Sequence, residues 1–368
     1  MLIGIDGNEA NIKNRVGVGQ YAFHVLTELY KDLDNEYIVY LKDQPLSDLP
    51  KSNKNWHYRV FGPQKLWSRI ALPFYLFFQT EKLNLFFSLS HYSPLFCPCP
   101  TIPTIHDLGY LQFQEQFTKK DLYQLINWTK QSIKKAKHII TVSQFSKSEI
   151  EKIYNIPSSK IDIAYNGVDI PPKIEVSLQK KILADYQIEP NKYFLYLGTL
   201  KPNKNIPFLI KSFSLYLKQT NSSNLLVIAG KKGWLFDEIF ATVKKEGIES
   251  QVIFTDFVSE SQKWTLYQNA ICSILPSIYE GFGIPAIESM KVETPVIVSD
   301  ISPLKEVVVD SGLFIDPKNI SDLCQKMINI TSPKIREKYS ILGKKQADKF
   351  TWANTAKSIL KAFQKIHI

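Results

Sequence analysis

The sequence predicts an α/β protein of two doubly wound domains, each a parallel sheet with helices on both faces. Three observations carry this expectation. The chain has 368 residues, which suits two domains of ~100–200 residues more readily than one. Short apolar runs alternate with segments of helical spacing along nearly its whole length. The alternation lapses once, at residues 169–175 (DIPPKIE), where paired prolines and lost periodicity mark a linker.

The elements follow in order. Residues 2–5 form an apolar run that turns at Asp6-Gly7-Asn8, and 21–30 have helical spacing. A strand is expected at 37–41, and buried strands at 85–89 and 102–105. Helix 121–135 and strand 139–142 come next, then Ser143 and Ser146 as caps for a helix over 147–154. Strand 161–164 runs into the turn pair Asn166-Gly167. Residues 51–65 carry no element signal and read as a loop. After the linker, strands are expected at 193–197, 225–229, 252–254, 271–275 and 295–298. Helices are expected at 206–217, 236–246, 261–268, 285–291 and 320–330, with a last one over 352–366. The expected domains are 1–170 and 176–350.

Composition narrows the class. Hydrophobic residues are 44% and charged residues 22%, enough apolar content to fill two cores and to exclude disorder as the dominant state. Four cysteines, Cys97, Cys99, Cys272 and Cys324, form no C-x-x-C pair and read as reduced thiols of a cytoplasmic protein. The opening MLIGIDGNEA reads as strand and loop, not as a secretory signal. Net charge is +10, which alone suggests an anionic partner. The lysines are scattered and no nucleic-acid motif accompanies them, so no nucleic-acid function is expected. No uninterrupted apolar stretch is long enough to span a bilayer. The aromatic stretch from Leu66 to Phe78 reads either as a buried helix with an exposed loop or as an interfacial membrane segment.

In open parallel sheets, ligands bind beyond the carboxyl ends of the strands, facing backbone N–H groups and helix N-termini. Five loops occupy such places. Gly17-Val18-Gly19 precedes a helix and fits a plain turn as well as a close backbone approach to an anion. His106-Asp107 ends a strand; a solitary histidine there is structural or lines a cleft. Gly198-Thr199-Leu200-Lys201-Pro202-Asn203-Lys204-Asn205 brings two lysines to a helix start, a geometry for a diphosphate or simply a solvated turn. Gly230-Lys231-Lys232-Gly233-Trp234 either closes over the same phosphates or is a glycine-rich turn. The sharpest string is Glu280-Gly281-Phe282-Gly283-Ile284-Pro285-Ala286-Ile287-Glu288: a helix start with freed backbone, Pro in the first turn, and two carboxylates eight residues apart.

These strings, with Thr141–Ser146 (TVSQFS), Tyr165–Asp169 (YNGVD), Thr294-Pro295-Val296-Ile297 and Phe314–Pro317 (FIDP), resemble the retaining glycosyltransferases of family 4. Their order and spacing over nearly the whole chain carry the resemblance, which is nearest to mannosyltransferase-like members that build envelope polysaccharide. It implies a GT-B fold: two Rossmann-like domains facing each other across a central cleft, with the last helix packing back on the first domain. It implies a hexose, mannose first, transferred from a nucleotide-diphospho sugar such as GDP-mannose to a saccharide or polyprenyl-linked acceptor, with retention and without metal or cofactor.

The resemblance also implies roles. Lys204 would pair with the donor diphosphate, and Glu288 with the ribose. Glu280 and the amides of Phe282, Gly283 and Ile284 would hold the sugar, with His106 against it from the opposite domain. Gly17 and Gly19 would approach the diphosphate and acceptor, and Thr199 and Asn205 belong to the donor loop. The N-terminal loops, 51–65 among them, would contact the acceptor, with no single residue singled out. Two positions depart from the pattern. Where relatives carry arginine in the phosphate loop this chain has Thr199 and Asn203, so the second cation is Lys201 or Lys231, or is missing. A glycine usual before Thr294 is Glu293. The alternatives are an inverting GT-B enzyme or GT-B epimerase, a nucleotide-sugar-binding protein without turnover, and a basic membrane or RNA adaptor. The aromatic 66–78 stretch and the basic balance fit peripheral contact with the inner membrane face.

Overall fold

The computed structural model describes residues 1–233 and 236–367. The chain divides into two compact units: Met1–Gly167 together with Thr351–Ile368, and Val168–Phe350.

The first unit is built on strands β1 (Leu2–Asp6), β2 (Glu36–Leu41), β3 (Trp56–Val60), β4 (Leu85–Ser88), β5 (Thr101–Ile105), β6 (Ile139–Thr141) and β7 (Ile161–Ile163). They form one parallel sheet in the order β3-β2-β1-β4-β5-β6-β7. Helices α1 (Val18–Leu29), α2 (Ala71–Phe78), α3 (Lys119–Lys135) and α4 (Gln144–Tyr154) make the crossovers. Central strands β4, β5 and β6 are buried throughout, as a sheet covered on both faces requires.

The second unit holds strands β8 (Tyr193–Leu197), β9 (Leu225–Ala229), β10 (Val252–Asp256), β11 (Cys272–Leu275), β12 (Val296–Ser299) and β13 (Leu313–Ile315). Their order is β10-β9-β8-β11-β12-β13, all parallel. Around them lie α5 (Val176–Asp185), α6 (Ile206–Thr220), α7 (Asp237–Glu246), α8 (Glu260–Asn269), α9 (Ile284–Lys291), α10 (Ser302–Val308), α11 (Ile320–Ile330) and α12 (Pro333–Ala347). The last helix, α13 (Trp352–Gln364), belongs to the first unit. Phe363 meets Phe87 edge to face at 5.1 Å, the Thr355 hydroxyl donates to the Tyr165 carbonyl at 2.6 Å, and Trp352 stacks on His24 at 4.6 Å.

The sheets and their order follow from alternating apolar runs, and most elements sit within a few residues of expectation. The differences have local causes. Strand β3 lies in the unassigned 51–65 stretch because it is an edge strand, half-exposed with mixed polarity. Helices α5, α10 and α12 and strand β13 carry short or polar patterns without a clear period. Helix α1 begins at Val18, three residues early, so Gly19 lies inside its first turn. Ser146 is not a cap: helix α4 starts at Gln144, and the Ser143 hydroxyl alone caps it by accepting from the Ser146 amide at 3.0 Å.

Both sheets reverse their direction of winding beside their first strand, between β1 and β4 and between β8 and β11. Such a switch point leaves a crevice beyond the carboxyl ends of the two strands, unobstructed by crossover helices.

Candidate active site

In the second unit, the loops leaving β8 and β11 meet at the switch point. Strand β8 ends at Leu197, and the loop Gly198–Asn205 carries Lys204 in a single helical turn before α6. Strand β11 ends at Leu275, and its loop carries Glu280 toward α9. Backbone bonds fasten the loops together: the Ile278 amide donates to the Asn203 carbonyl at 2.9 Å, and the Asn203 side-chain amide donates to the Tyr279 carbonyl at 3.3 Å. Across this seam the Lys204 ammonium donates to Glu280 Oε1 at 2.7 Å, and the Ser277 hydroxyl donates to the same oxygen at 2.8 Å. The two charged side chains are only 21% and 11% exposed. Their second valences remain chemically useful. An ammonium has three donors and a carboxylate about four acceptor sites, so each group can take a further partner without releasing the other.

Glycine is required at two of these positions. Gly230, the residue after β9, has φ 148°, and a Cβ there would lie 2.0 Å from the Gly198 carbonyl oxygen. The loop after β9 thereby lies flat against the loop after β8, with the Leu200 amide donating to the Lys231 carbonyl at 2.9 Å. Gly283 has φ 103° and precedes the first residue of α9, with Pro285 in its first turn. Ile284 opens that helix, so its amide is among the leading N–H groups that an α-helix cannot satisfy internally. Phe282 is buried against Phe350, ring centroids 5.6 Å apart.

Glu288 lies within α9 and is held differently. The Lys263 ammonium donates to Oε1 at 2.9 Å and the Tyr267 hydroxyl to Oε2 at 3.2 Å. Lys263 and Tyr267 stand four apart on α8, one turn, and so reach the same carboxylate. Burial raises the Glu288 pKa above its ordinary value, against the lowering effect of Lys263. On Lys263 burial pulls downward, but Glu288 and Glu260 outweigh it and the ammonium is held above its ordinary range.

The remaining predicted residues of this unit divide. Lys201 and Asn205 line a cavity of about 260 Å³ with Lys211 and Lys318. Neither Lys204 nor Glu280 lines it. The Lys231 ammonium sits over the Phe257 ring at 4.5 Å. The Thr199 carbonyl accepts from the Tyr196 hydroxyl at 3.3 Å. Trp234 lies outside the described residues.

In the first unit, His106 follows β5, one strand out from the equivalent switch point between β1 and β4. Its Nε2 lies 3.0 Å from the Leu89 carbonyl, which only accepts, so Nε2 carries the proton and Nδ1 is the acceptor of the neutral ring. Burial, then the neighbouring His91, push its pKa down to about 4. Its main-chain carbonyl accepts from Ser146 Oγ at 3.0 Å, and the Tyr21 ring meets the imidazole edge-on at 4.7 Å. Asp107 turns back to accept from the Gly109 amide at 2.8 Å. Gly17, φ 50°, is the N-cap of α1, and Gly19 is buried in its first turn.

Sequence reasoning missed Lys263, Tyr267 and Ser277, which position the two acids. The first two carried a weak signal, the four-residue spacing on a helix; Ser277 stands three residues before Glu280. It also passed over His91, whose Nδ1 is buried without a hydrogen-bond partner among the described residues, 5.9 Å in ring separation from His106. No group of three or more His, Cys, Asp or Glu side chains among the described residues is arranged to hold a metal ion.

Comparison with known proteins shows the family and the fold. Residues 17–170 match the family model Glycosyltransferase Family 4, and 179–347 match Glycosyl transferases group 1. The O-antigen chain mannosyltransferase B of Escherichia coli is 30% identical over 267 residues, 72% of this chain and 70% of that one. The chain belongs to the group 1 and family 4 glycosyltransferases. The O-antigen chain mannosyltransferase RfbU of Salmonella typhimurium is 36% identical over 214 residues, 58% of this chain and 56% of its own length. Among solved structures, a sucrose-phosphate synthase from Thermosynechococcus elongatus superposes with TM-score 0.76 at 17% identity, covering 100% of this chain and 99% of that one. The Anabaena protein HepE, solved with UDP and glucose, gives TM-score 0.75 at 16% identity, with 99% of each chain covered. These establish the fold of the glycosyltransferase as GT-B: two Rossmann-like parallel sheets flanked by helices.

Proposed function

We propose that this glycosyltransferase moves a hexose from a nucleotide-diphospho sugar to a hydroxyl of a saccharide or polyprenyl-linked acceptor in envelope polysaccharide synthesis. Mannose from GDP-mannose is the first candidate donor, on the strength of the mannosyltransferase relatives. The observation that carries the reading is the Lys204–Glu280 pair at the second switch point, where one cation and one carboxylate stand 2.7 Å apart beside a helix start.

In this reading the diphosphate binds Lys204, and Lys201 or Lys231 supplies further positive charge. Glu280 and the amides around Phe282, Gly283 and Ile284 hold the sugar hydroxyls. Glu288, already fixed by Lys263 and Tyr267, accepts from the ribose. His106 is assigned to the transferred sugar, accepting a hydroxyl through Nδ1, and the Gly17–Gly19 loop to the acceptor side. The bond from the anomeric carbon to the phosphate oxygen breaks and its electron pair leaves with the nucleotide diphosphate. The acceptor oxygen bonds to the anomeric carbon from the same face, and its proton passes to the departing phosphate. Negative charge grows on that phosphate in the transition state, where an ammonium and helix amides stabilise it by several kcal/mol, about as much as an oxyanion-hole donor each.

The test combines donor and residue. A thermal-shift screen of GDP, UDP and ADP with their sugars identifies the base. Transfer from the selected donor to a lipid-linked acceptor is then followed, with NMR of the product anomer. Lys204→Ala and Glu280→Ala are each expected to lower kcat/KM by roughly tenfold or more while melting cooperatively. Unchanged transfer in both variants removes the site assignment; an inverted product removes retention; nucleotide binding without any release favours a binding protein.

A further inference from the structure

Three lysines of the second unit line one cavity of about 260 Å³. Lys201 comes from the loop after β8, Lys211 from α6, and Lys318 from the turn before α11. Their convergence has a structural cause. Lys211 lies three residues beyond Phe208 on α6, so both side chains share one face. Phe208 and Ile239 of α7 are buried in the core of the unit, and Ile320, opening α11, packs on that core. Apolar contact thus gathers the starts of three helices and sets the lysines around one hollow. The Asn205 side-chain amide closes the seam by donating to the Pro317 carbonyl at 2.9 Å, which ties the loop of Lys201 to the turn of Lys318.

The charges around the hollow do not cancel. Glu238 of α7 is the one acid among its described lining residues. It and its neighbour Asp237 stand in the first turn of α7, where the helix dipole favours a carboxylate. Asp316 and Asp322, beside Lys318, are turned onto their own backbone: Asp316 accepts from the Lys318 amide at 2.9 Å and Asp322 from the Asp316 amide at 3.0 Å. Among the described residues Lys211, Lys318 and Glu238 make no ion pair. A lysine that only covers apolar surface runs its ammonium out into water. Three that line one hollow repel each other, and a bound anion removes that repulsion. Size narrows the ligand, because the hollow falls below the ~300–1,000 Å³ of sites for drug-sized molecules and is too small for a whole nucleotide sugar. Three lysines against one glutamate suit an anion of two or more negative charges, and ammonium groups serve phosphate as point charges. The walls of Phe208 and Ile239 offer no hydrogen bonds, so the charged group is what the cavity recognises.

We propose that this cavity is a second anion site, which takes a phosphate group carried by a small molecule: free phosphate, diphosphate or a sugar phosphomonoester. It is separate from the donor pair, since neither Lys204 nor Glu280 lines it. The site goes beyond the transferase reading and stands without it, because it is read by binding and not by turnover.

Calorimetric titration of the full chain at low salt uses three probes: inorganic phosphate, inorganic diphosphate and glucose 6-phosphate. At least one is expected to bind, more weakly as salt is raised, and the tightest tells a free phosphate from a sugar-borne one. Lys204→Ala/Glu280→Ala, which disables the donor pair, is expected to keep this binding within about threefold. Adding Lys211→Ala/Lys318→Ala to that variant is expected to weaken it by roughly tenfold or more, as two charge-assisted contacts are lost, with the melting temperature unchanged. Adding Glu238→Gln instead, at an exposed position, is expected to tighten it by about threefold, a readout that survives if the lysine variant misfolds. No binding of any probe by the wild type overturns the proposal. So does undiminished binding after the lysine changes in a folded protein, or an affinity that Glu238→Gln leaves unchanged. Binding lost in Lys204→Ala/Glu280→Ala alone also overturns it, and assigns the anion to the donor pair.

Discussion

Removing the Lys263 ammonium while keeping its stem, as in Lys263→Met, breaks the clamp on Glu288 together with a half-exposed ion pair to Glu260 at 3.0 Å, which adds little. Both side chains are 12% exposed, and the ammonium lies 2.9 Å from the carboxylate. Taking one partner from a buried pair costs about 3–5 kcal/mol, because the other charge stays desolvated. The Tyr267 hydroxyl is then the remaining donor of the two that grip Glu288. At roughly 2–4 °C per kcal/mol for a unit of this size, the melting temperature of the second unit should drop by about 6–20 °C at neutral pH. The pH dependence gives the sharper signature. Lys263 lowers the Glu288 pKa, so its loss lifts a value that burial already holds above 4.5. A carboxyl with a raised folded pKa binds its proton more tightly in the native state, so stability falls as pH rises from the unfolded value through the folded one. The deficit should therefore be largest at pH 7.5 and shrink toward pH 5, and Lys263→Met/Glu288→Gln should recover most of it. Urea titrations at both pH values measure this. A deficit below about 1 kcal/mol at pH 7.5, or one that pH leaves unchanged, refutes the clamp.

Other outcomes follow from single positions. Glu293 is exposed with φ 62°, a left-handed conformation that costs a non-glycine residue about 1–2 kcal/mol. Glu293→Gly should raise stability by about 0.5–1 kcal/mol in thermal melts, after the larger unfolded-state entropy of glycine is subtracted. Gly230→Ala would drive a methyl into the Gly198 carbonyl; it should destabilise by about 1–3 kcal/mol and weaken the nucleotide-induced thermal shift. His106 is buried neutral, with its pKa lowered from 6.5 to about 4. The unfolded state takes up the proton first, so stability is complete above pH 6.5 and declines toward pH 4. His106→Asn should flatten that decline in acid titrations of the first unit, by up to about 3 kcal/mol at about 1.4 kcal/mol per pKa unit.

The two parallel sheets were legible in the residue pattern, because strands buried on both faces must be runs of apolar residues, and β8, β9 and α11 begin and end where their patterns do. It also located the glycine-rich loops, since Gly230 and Gly283 take positive φ values that favour glycine, although the close approach of the Gly198 carbonyl to Gly230 is a tertiary contact. Edge strand β3 and polar helix α12 escaped, because neither carries a periodic apolar face. Which charges meet is set by the assembled sheets. Lys204 and Glu280 are 76 residues apart, and Lys263 and Glu288 are 25 apart. No local pattern encodes a pairing made by strand order, which brings the ends of β8 and β11 together. Nor does local pattern tell the buried stripe of α2 from the exposed one: the helix is apolar all round, and the neighbours chosen by the fold leave three of its phenylalanines in water.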